Sequence, residues 1–301
     1  PQRNLEPLFF RNVGTVLFYD KYHPEIKFTS PVSGVISEVL RGERRKILEV
    51  IIKTNDRDEF LTYNTGDPGQ MSREEIITVL LDSGMWPVIR QRPYSIIARP
   101  ADIPKAIYIS GFDSAPLAPD IDFIIKDNED EFKKGIDVLS RLTKGQIHLS
   151  IDANYPACKT YLNAGDIKIH KFSGPHPAGN IGIQIHHIDP LNKGEVVWYI
   201  SPFDVIRTGR LFLNGRLDNT IVLALTGSEV LKPAYCKTIL GACINHLING
   251  NVEAGDIRII SGNVLNGKRV ESNGFIGFYD RHVTVIPEGK QHEFLGWASP
   301  G

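Results

Sequence analysis

Three observations predict a multidomain α/β fold. The chain has 301 residues, more than a single domain of about 100 to 200 residues usually contains. Short β-favouring runs fill residues 13–53, strands alternate with helices from Lys105 onwards, and a strand, turn, strand, helix and strand follow one another after residue 219. We therefore predict three successive domains, which span residues 1–70, 71–215 and 216–301.

The first domain is predicted to be a compact β module. Turn signals at Ser33-Gly34 and Arg41-Gly42 separate its strands. The residues of Asn64–Gly69 also favour turns, so we expect a linker or interaction loop there. The predicted strands are Val13–Phe18, Ile26–Thr29, Val35–Leu40 and Lys46–Lys53.

The segment Ser30–Ile36 resembles the return strand of biotinyl and lipoyl carrier domains, which indicates a biotinyl/lipoyl-like barrel-sandwich module. Those domains present a lysine at a hairpin tip for covalent attachment, and the tip here is Asp20–Pro24. Lys21 lacks the flanking residues typical of an attachment site, so we expect an ordinary exposed lysine. A carrier domain modified at Lys21 is the alternative, and the intact mass of the protein distinguishes the two.

The second domain is predicted to be Rossmann-like, with helices on a mostly parallel sheet. Ser72 and Glu75 form a capping-box pattern that opens a helix, which Gly84 ends. Ser201 opens a further helix over Pro202–Phe212. The other predicted elements are the strands Ala106–Ile109, Ile147–Ile151 and Ile167–Phe172, a helix with Phe132, Ile136 and Leu139 on one face, and a short helix near Ala157–Leu162.

The third domain is predicted to be an α+β roll of the β-grasp type. It begins with the strand Thr220–Leu225. An amphipathic helix over Ile239–Ile248 and a strand over Asp256–Ile260 are expected to follow.

Composition argues against several classes of function. The chain has 34 Lys and Arg against 35 Asp and Glu, so no overall positive field attracts nucleic acid. Its apolar runs end after a few residues, whereas a membrane span needs about 20, so no transmembrane segment is predicted. The three cysteines, Cys158, Cys236 and Cys243, have no C-x-x-C spacing, which argues against a disulfide framework and against a self-contained iron–sulfur or zinc site.

The loop after the first strand of the second domain is acidic. No G-x-G-x-x-G fingerprint and no Walker A sequence occurs. Instead, Gly111–Asp120 carries Asp113 and Asp120 among prolines, and these carboxylates repel phosphate groups. We assign Asp113 and Asp120 to an interface loop, with binding of a small ligand and a purely structural role as alternatives.

Histidines cluster late in the second domain, where His170, His176, His186 and His187 precede Asp189. Imidazoles bind ligands and exchange protons near neutral pH. We predict a ligand site formed by His176, His186, His187 and Asp189, with metal binding and packing as alternatives. On a strand, His186 and His187 would point to opposite faces, so we expect one of them in the core or at its rim. No hydrolase motif is present, and no catalytic or metal-binding residue is assigned.

A series of motifs runs in order along most of the chain and together resembles the A subunit of the Na+-translocating NADH:quinone oxidoreductase, a bacterial membrane-bound respiratory complex. The similarity covers all three predicted domains. It rests on Val13–Lys21, Phe28–Gly34, Arg41–Arg45, Arg90–Ser95, Gly174–Gly179, His186–Pro190, Leu225–Ser228 and Phe294–Trp297.

This resemblance implies a biotinyl-like barrel, a Rossmann-like domain and a soluble-ligand-binding β-grasp domain. It also implies a peripheral subunit on the cytoplasmic face of the bacterial inner membrane, which contributes to ubiquinone binding and docks on the membrane-embedded B subunit. The clustered imidazoles lead us to expect the quinone near His176–Pro190. Flavins and iron–sulfur centres are expected on partner subunits, with no tightly bound cofactor on this chain. A non-catalytic scaffold or ligand-binding subunit of a related Rnf-type or complex I-like assembly is the alternative.

Two departures from the family pattern are expected to matter. The glycine-rich hairpin that the family has upstream of Val13 is replaced by Pro1–Asn12, and the C-terminal region of the family beyond Gly301 is missing. We therefore expect a chain truncated at least at its C-terminus, which is inactive in isolation.

Overall fold

The computed structural model of the protein describes residues 10–55, 57–290, 294 and 296–298. Residues 1–9 of the N-terminal segment and Leu295 of the C-terminal motif lie outside the described residues. The chain divides into two compact units, one of residues 1–114 with 120–220 and one of residues 115–119 with 221–301. No helix in the described ranges is both long and apolar enough to cross a membrane.

The N-terminal β module confirms the four predicted strands and adds a short one. Its strands are β1 (Phe10–Arg11), β2 (Val16–Tyr19), β3 (Lys27–Thr29), β4 (Gly34–Arg41) and β5 (Ile47–Thr54), with a 3-10 turn at Glu43–Arg45. Strand β4 pairs antiparallel with β1 and β5, and β2 and β3 form a separate hairpin. Gly34 is needed because a Cβ there would lie 2.2 Å from the carbonyl oxygen of Lys53. Lys21 is exposed in the turn between β2 and β3.

Helix α1 (Arg73–Ser83) follows the module and confirms the predicted capping box. The Ser72 hydroxyl accepts a hydrogen bond from the Glu75 amide, and the Glu75 carboxylate accepts one from the Ser72 amide. Gly84 ends the helix in the left-handed region, with φ +77°. Thr29 of β3 donates a hydrogen bond to the carbonyl oxygen of the last α1 residue at 2.9 Å, so the β module packs on this end of the helix.

A six-stranded sheet forms the centre of the first unit. Its strands are β6 (Arg90–Arg92), β7 (Ile96–Ile97), β8 (Ile107–Ser110), β9 (Ile147–Asp152), β10 (Lys168–Phe172) and β11 (Val197–Ile200). They lie in the order β10-β9-β8-β11-β6-β7, with the first four parallel and β6 antiparallel to both of its neighbours. The predicted mostly parallel sheet is confirmed. Strands β6 and β7 were not predicted, because runs of three and two residues show no alternating pattern, and β11 was also missed.

Helices accompany this sheet. They are α2 (Ile121–Ile125), α3 (Glu129–Ser140), α4 (Lys159–Leu162), α5 (Ile181–Ile188) and α6 (Pro202–Asn214), besides a 3-10 turn at Trp86–Val88. Helices α3, α4 and α6 confirm the predicted ones, and Ser201 caps α6 by accepting from the Asp204 amide. Helices α3 and α6 approach each other closely. A Cβ at Gly209 would lie only 1.7 Å from the carbonyl oxygen of Glu131, so this contact requires a glycine.

Helix α5 corrects the expected placement of His186 and His187 on a strand. Asn180 caps this helix, accepting a hydrogen bond from the backbone amide two residues further on at 2.8 Å. Ile181, Ile185 and Ile188 are spaced four and three residues apart, which is the helical period, and they pack in one cluster with residues of β8 and β11. Both histidines are exposed. Neither of them therefore lies in the core, contrary to the expectation for one of the two.

The second unit contains a mixed five-stranded sheet. Its elements are β12 (Thr220–Thr226), β13 (Ala234–Ile239), α7 (Asn245–Ile248), β14 (Ile257–Ser261), β15 (Lys268–Val270) and β16 (His282–Pro287). The strand order is β13-β12-β16-β14-β15, with β12 parallel to β16 and β14 antiparallel to β16 and β15. The core of this unit is centred on fully buried Leu223, Leu225, Ile244, Val283 and Val285.

The predicted helix over Ile239–Ile248 is wrong in its extent. Strand β13 ends at Ile239, Gly241 turns the chain with φ +75°, and only the last four residues are helical. Ile244 and Ile248 are both buried in the core, and their spacing of four imitates the period of a longer helix. A glycine in the left-handed region cannot continue a right-handed helix.

Candidate functional site

Two histidines and a tyrosine form a row on one face of the six-stranded sheet. Tyr108 of β8 and His148 of β9 are register partners, and their rings stack with centroids 4.7 Å apart. His170 of β10 lies on the same face, because it pairs with Ser150, two residues after His148. His148 Nδ1 lies 2.9 Å from His170 Nε2, so a hydrogen bond joins the two imidazoles.

The C-terminal end of α5 brings two further predicted residues to this row. His187 lies near Phe172 of β10, with ring centroids 6.5 Å apart, and Asp189 immediately follows the helix. Together they border an open groove of about 960 Å³ along β10. Its lining consists of His148, Lys168, Ile169, His170, Lys171, Phe172, Ser173, His187, Ile188 and Asp189.

The histidine pair is uncharged near neutral pH. Burial, reinforced by the neighbouring His170 and Lys168, lowers the pKa of His148 to about 4. Burial and Lys168 also lower the pKa of His170. Two neutral imidazoles each carry one N–H and one bare nitrogen, so this part of the groove offers both a donor and an acceptor.

Asp189 is held at the end of α5 by a lysine. Lys105 Nζ lies 2.8 Å from Asp189 Oδ2 and 3.1 Å from Glu195 Oε2. Burial, with the nearby Asp189 carboxylate, raises the pKa of Tyr108 to about 12, so its hydroxyl keeps its proton. Among the described residues, this buried hydroxyl has no hydrogen-bond partner.

The predicted ligand residues separate into two places. His187 and Asp189 border the groove, whereas His186 is beside His187, with ring centroids 5.6 Å apart, but is not part of the lining. His176 lies elsewhere, where its Nδ1 is 3.1 Å from the hydroxyl oxygen of Ser114. That hydroxyl also accepts a hydrogen bond from the Gly179 amide, so His176 tethers the 174–179 segment to the loop after β8.

Sequence reasoning missed His148 and assigned no role to His170. A signal was present in β9, where His148 and Ser150 alternate with isoleucine and leucine, although both polar side chains are buried. Polar residues on a buried strand usually have a specific partner. The pairing with β10 that brings His170 to His148 spans 22 residues, and no local pattern reports it.

Neither Asp113 nor Asp120 of the acidic loop lines the groove. Asp113 is exposed, and Asp120 caps α2 by accepting a hydrogen bond from the Phe123 amide at 3.1 Å. Capping gives Asp120 a local structural role. Across residues 10–55 and 57–290, no group of three or more His, Cys, Asp or Glu side chains is arranged to hold a metal ion.

Comparison with known families accounts for all three parts of the chain. The matching descriptions are the NqrA N-terminal barrel-sandwich hybrid domain over residues 11–55, the NqrA second alpha/beta domain over residues 71–217 and the NQRA C-terminal domain over residues 222–272. The chain belongs to the NqrA family. A barrel-sandwich domain and an α/β domain, both expected from the sequence, are therefore present.

Curated members of the NqrA family are similar over nearly the whole chain. Proteins named as the A subunit of the Na(+)-translocating NADH-quinone reductase from Neisseria meningitidis and Histophilus somni are 41% and 38% identical over 95% and 96% of the chain. The match covers 64% and 65% of those relatives, so the chain spans about two thirds of their length.

One solved structure shares the fold of this NqrA chain. A chain of a NAD+-reducing [NiFe]-hydrogenase in the air-oxidized state superimposes with a TM-score of 0.54 at 10% identity. The superposition covers 74% of the NqrA chain and 48% of the hydrogenase chain. At this identity the likeness concerns the fold alone.

Proposed function

We propose that this NqrA chain works within a Na+-translocating NADH–quinone reductase and binds the head group of a quinone in the groove along β10. The observation that carries the proposal is the hydrogen-bonded pair of His148 and His170 in the wall of that groove. The reaction is proposed from the names of the relatives. The quinone site is proposed from the side chains that line the groove.

The chemistry of the groove suits a flat ring with two carbonyl oxygens. Imidazole N–H groups of His170 and His187 donate hydrogen bonds to such oxygens. Phe172 and Ile188 provide apolar contacts for the ring and for the start of an isoprenoid tail. A groove of about 960 Å³ lies in the upper range of known small-ligand sites, roughly 300 to 1,000 Å³. Ubiquinone is the quinone that we propose.

The strand orders support the finer fold assignments. Strands β10, β9, β8 and β11 have the order 3-2-1-4 of a Rossmann-like half. The sheet of the second unit has the order 2-1-5-3-4, with its first and last strands parallel, which is the arrangement of a β-grasp. We propose these two assignments for the second and third domains.

The assembly is part of the same proposal. The chain is a peripheral subunit on the cytoplasmic face of the bacterial inner membrane, and the membrane-embedded B subunit is its main partner. Flavins and iron–sulfur centres reside on other subunits, and this chain carries no tightly bound cofactor. The missing glycine fingerprint and the scattered cysteines of the sequence support that last point.

Titration with a water-soluble short-chain ubiquinone tests the quinone site. Side-chain ¹⁵N signals of His148, His170 and His187 are expected to shift and saturate, while that of His246 stays unchanged. Phe172→Ala is expected to weaken binding several-fold, with Phe123→Ala, at an exposed site on α2, as its matched control. Shifts confined to His176, or no saturable shift, would overturn the proposed site and favour a scaffold role.

A further inference from the structure

We propose that His148 and His170 act as a proton relay that delivers a proton from solvent to the quinone as it is reduced. This inference rests on the proposed quinone site and adds a chemical role for the pair. Its basis is the geometry of two imidazoles in the groove wall, joined nitrogen to nitrogen at 2.9 Å, with His148 stacked on Tyr108.

The bond between the rings couples their tautomers. If His148 Nδ1–H donates to His170 Nε2, each neutral ring carries its proton on Nδ1. If His170 Nε2–H donates instead, each ring carries its proton on Nε2. The two rings therefore always share one tautomer, and a change from the first state to the second moves one proton from the His148 side to the His170 side.

The surroundings favour neutral rings over a charged one. Lys168 of β10 lies near both imidazoles and disfavours a positive charge on either. Asp189, which follows α5, acts in the opposite sense on His148, but it is neutralised by Lys105. Tyr108 of β8 keeps its proton, and His187 of α5 faces the same groove. A relay of neutral imidazoles passes a proton without holding a cation in this wall.

Each step of the relay conserves atoms and charge. Oxidation of NADH releases two electrons and one proton, and the two electrons convert the quinone carbonyls to oxyanions. His170 Nδ1–H breaks as its proton forms an O–H bond on one oxyanion, and the His148 Nδ1 proton passes to His170 Nε2. The second oxyanion takes its proton from water in the open groove. His148 Nε2 then takes a proton from solvent. The net reaction is quinone plus NADH plus one proton giving quinol plus NAD+, and proton exchange at the outer nitrogens restores the first tautomer.

Nitrogen-detected NMR of the full chain tests the coupled tautomers directly. At pH 7 we expect both rings in the same tautomeric state, with ¹⁵N shifts that respond together when quinol replaces quinone. A static pair that only packs would not change tautomer with the oxidation state of the ligand. Opposite tautomers in the two rings, or no joint response, would overturn the relay.

Turnover in the assembled reductase provides the second test. His148→Asn keeps an amide donor near the position of Nδ1 but cannot pass a proton on. We expect the rate of quinol formation to fall about 100-fold, at the lower end of general acid–base effects. Quinone affinity is expected to change less than about twofold. Added imidazole is expected to restore part of the rate. His246→Asn, in the second unit, is the matched control and retains the wild-type rate.

The outcomes separate the relay from the quinone site. If wild-type protein binds quinone at the groove but His148→Asn turns over normally, the relay is wrong and the site stands. If wild-type protein does not bind quinone there, the proposed function itself fails. Should the His148 variant not assemble, His170→Gln, on the edge strand, places an amide near the position of Nε2 and is expected to give the same fall in quinol formation, measured at saturating quinone because His170 also contacts the ring.

Discussion

Lys105 Nζ lies between two carboxylates, 2.8 Å from Asp189 Oδ2 and 3.1 Å from Glu195 Oε2. Hydrogen bonds to both partners raise the pKa of Lys105, so the ammonium stays charged. The Asp189 amide donates to the Ile185 carbonyl oxygen at 3.0 Å and closes α5. Lys105 thus fixes the segment that places His187 and Asp189 beside the groove.

Removal of this lysine is expected to loosen the groove wall without unfolding the protein. The pair is partly exposed, and such pairs contribute little to global stability. In Lys105→Gln, hydrogen exchange of the Asp189 amide should become several-fold faster, and quinone affinity should fall. Lys193→Gln, at an exposed site in the following loop, is the control and should match wild type. Equal exchange rates in both variants would contradict the role assigned to Lys105.

The lowered pKa of His148 makes the stability of the first unit depend on pH. An unfolded histidine binds a proton near pH 6.5, whereas His148 in the folded state does so only near pH 4. Between these values the unfolded state binds more protons, so the free energy of unfolding falls as the pH drops from about 6.5 to 4. The decrease in the free energy of unfolding caused by His148 reaches about 3 kcal/mol at most. Above pH 7 this residue causes no decrease.

Urea unfolding at pH 7 and pH 4.5 measures this effect. Wild-type protein and the His246→Asn control should lose stability between the two values, while His148→Asn should lose clearly less. Other groups that titrate in this range are common to all three proteins, so the difference between variants isolates His148. Parallel pH profiles in all three would show that His148 is protonated as easily in the folded state as in the unfolded chain.

Features that depend on neighbours in the chain were predictable from the sequence. Helix α1 is specified by Ser72, Glu75 and Gly84, which act on the backbone within one or two turns. The mostly parallel sheet followed from the alternation of strands with helices. Asp189 and His187 were named as site residues because they lie close together in sequence, and they do share the groove.

Features that depend on distant pairing were not predictable. His148 enters the site only because β9 lies between β8 and β10, which sets its ring against Tyr108 and within a hydrogen bond of His170. His186 was expected at the site because it adjoins His187, yet successive residues of a helix point about 100° apart, and only His187 lines the groove. Strand register and helix phase, rather than composition, decided which imidazoles meet.

The close approach of α3 and α6 depends on Gly209, and its replacement tests the packing of the first unit. Alanine favours a helix over glycine by about 1 kcal/mol, so propensity alone predicts that Gly209→Ala stabilises the protein. Its Cβ, however, would lie 1.7 Å from the carbonyl oxygen of Glu131, and forcing atoms into a filled core costs about 1 to 3 kcal/mol or more. We expect the clash to dominate, with a net loss of about 2 kcal/mol in the free energy of unfolding.

Gly66→Ala is the control, because the nearest atoms to its Cβ would be those of Met71 at 3.5 Å, and its effect should stay within about 0.5 kcal/mol. Equal stabilities of the two variants in urea unfolding would mean that α3 and α6 can move apart at little cost.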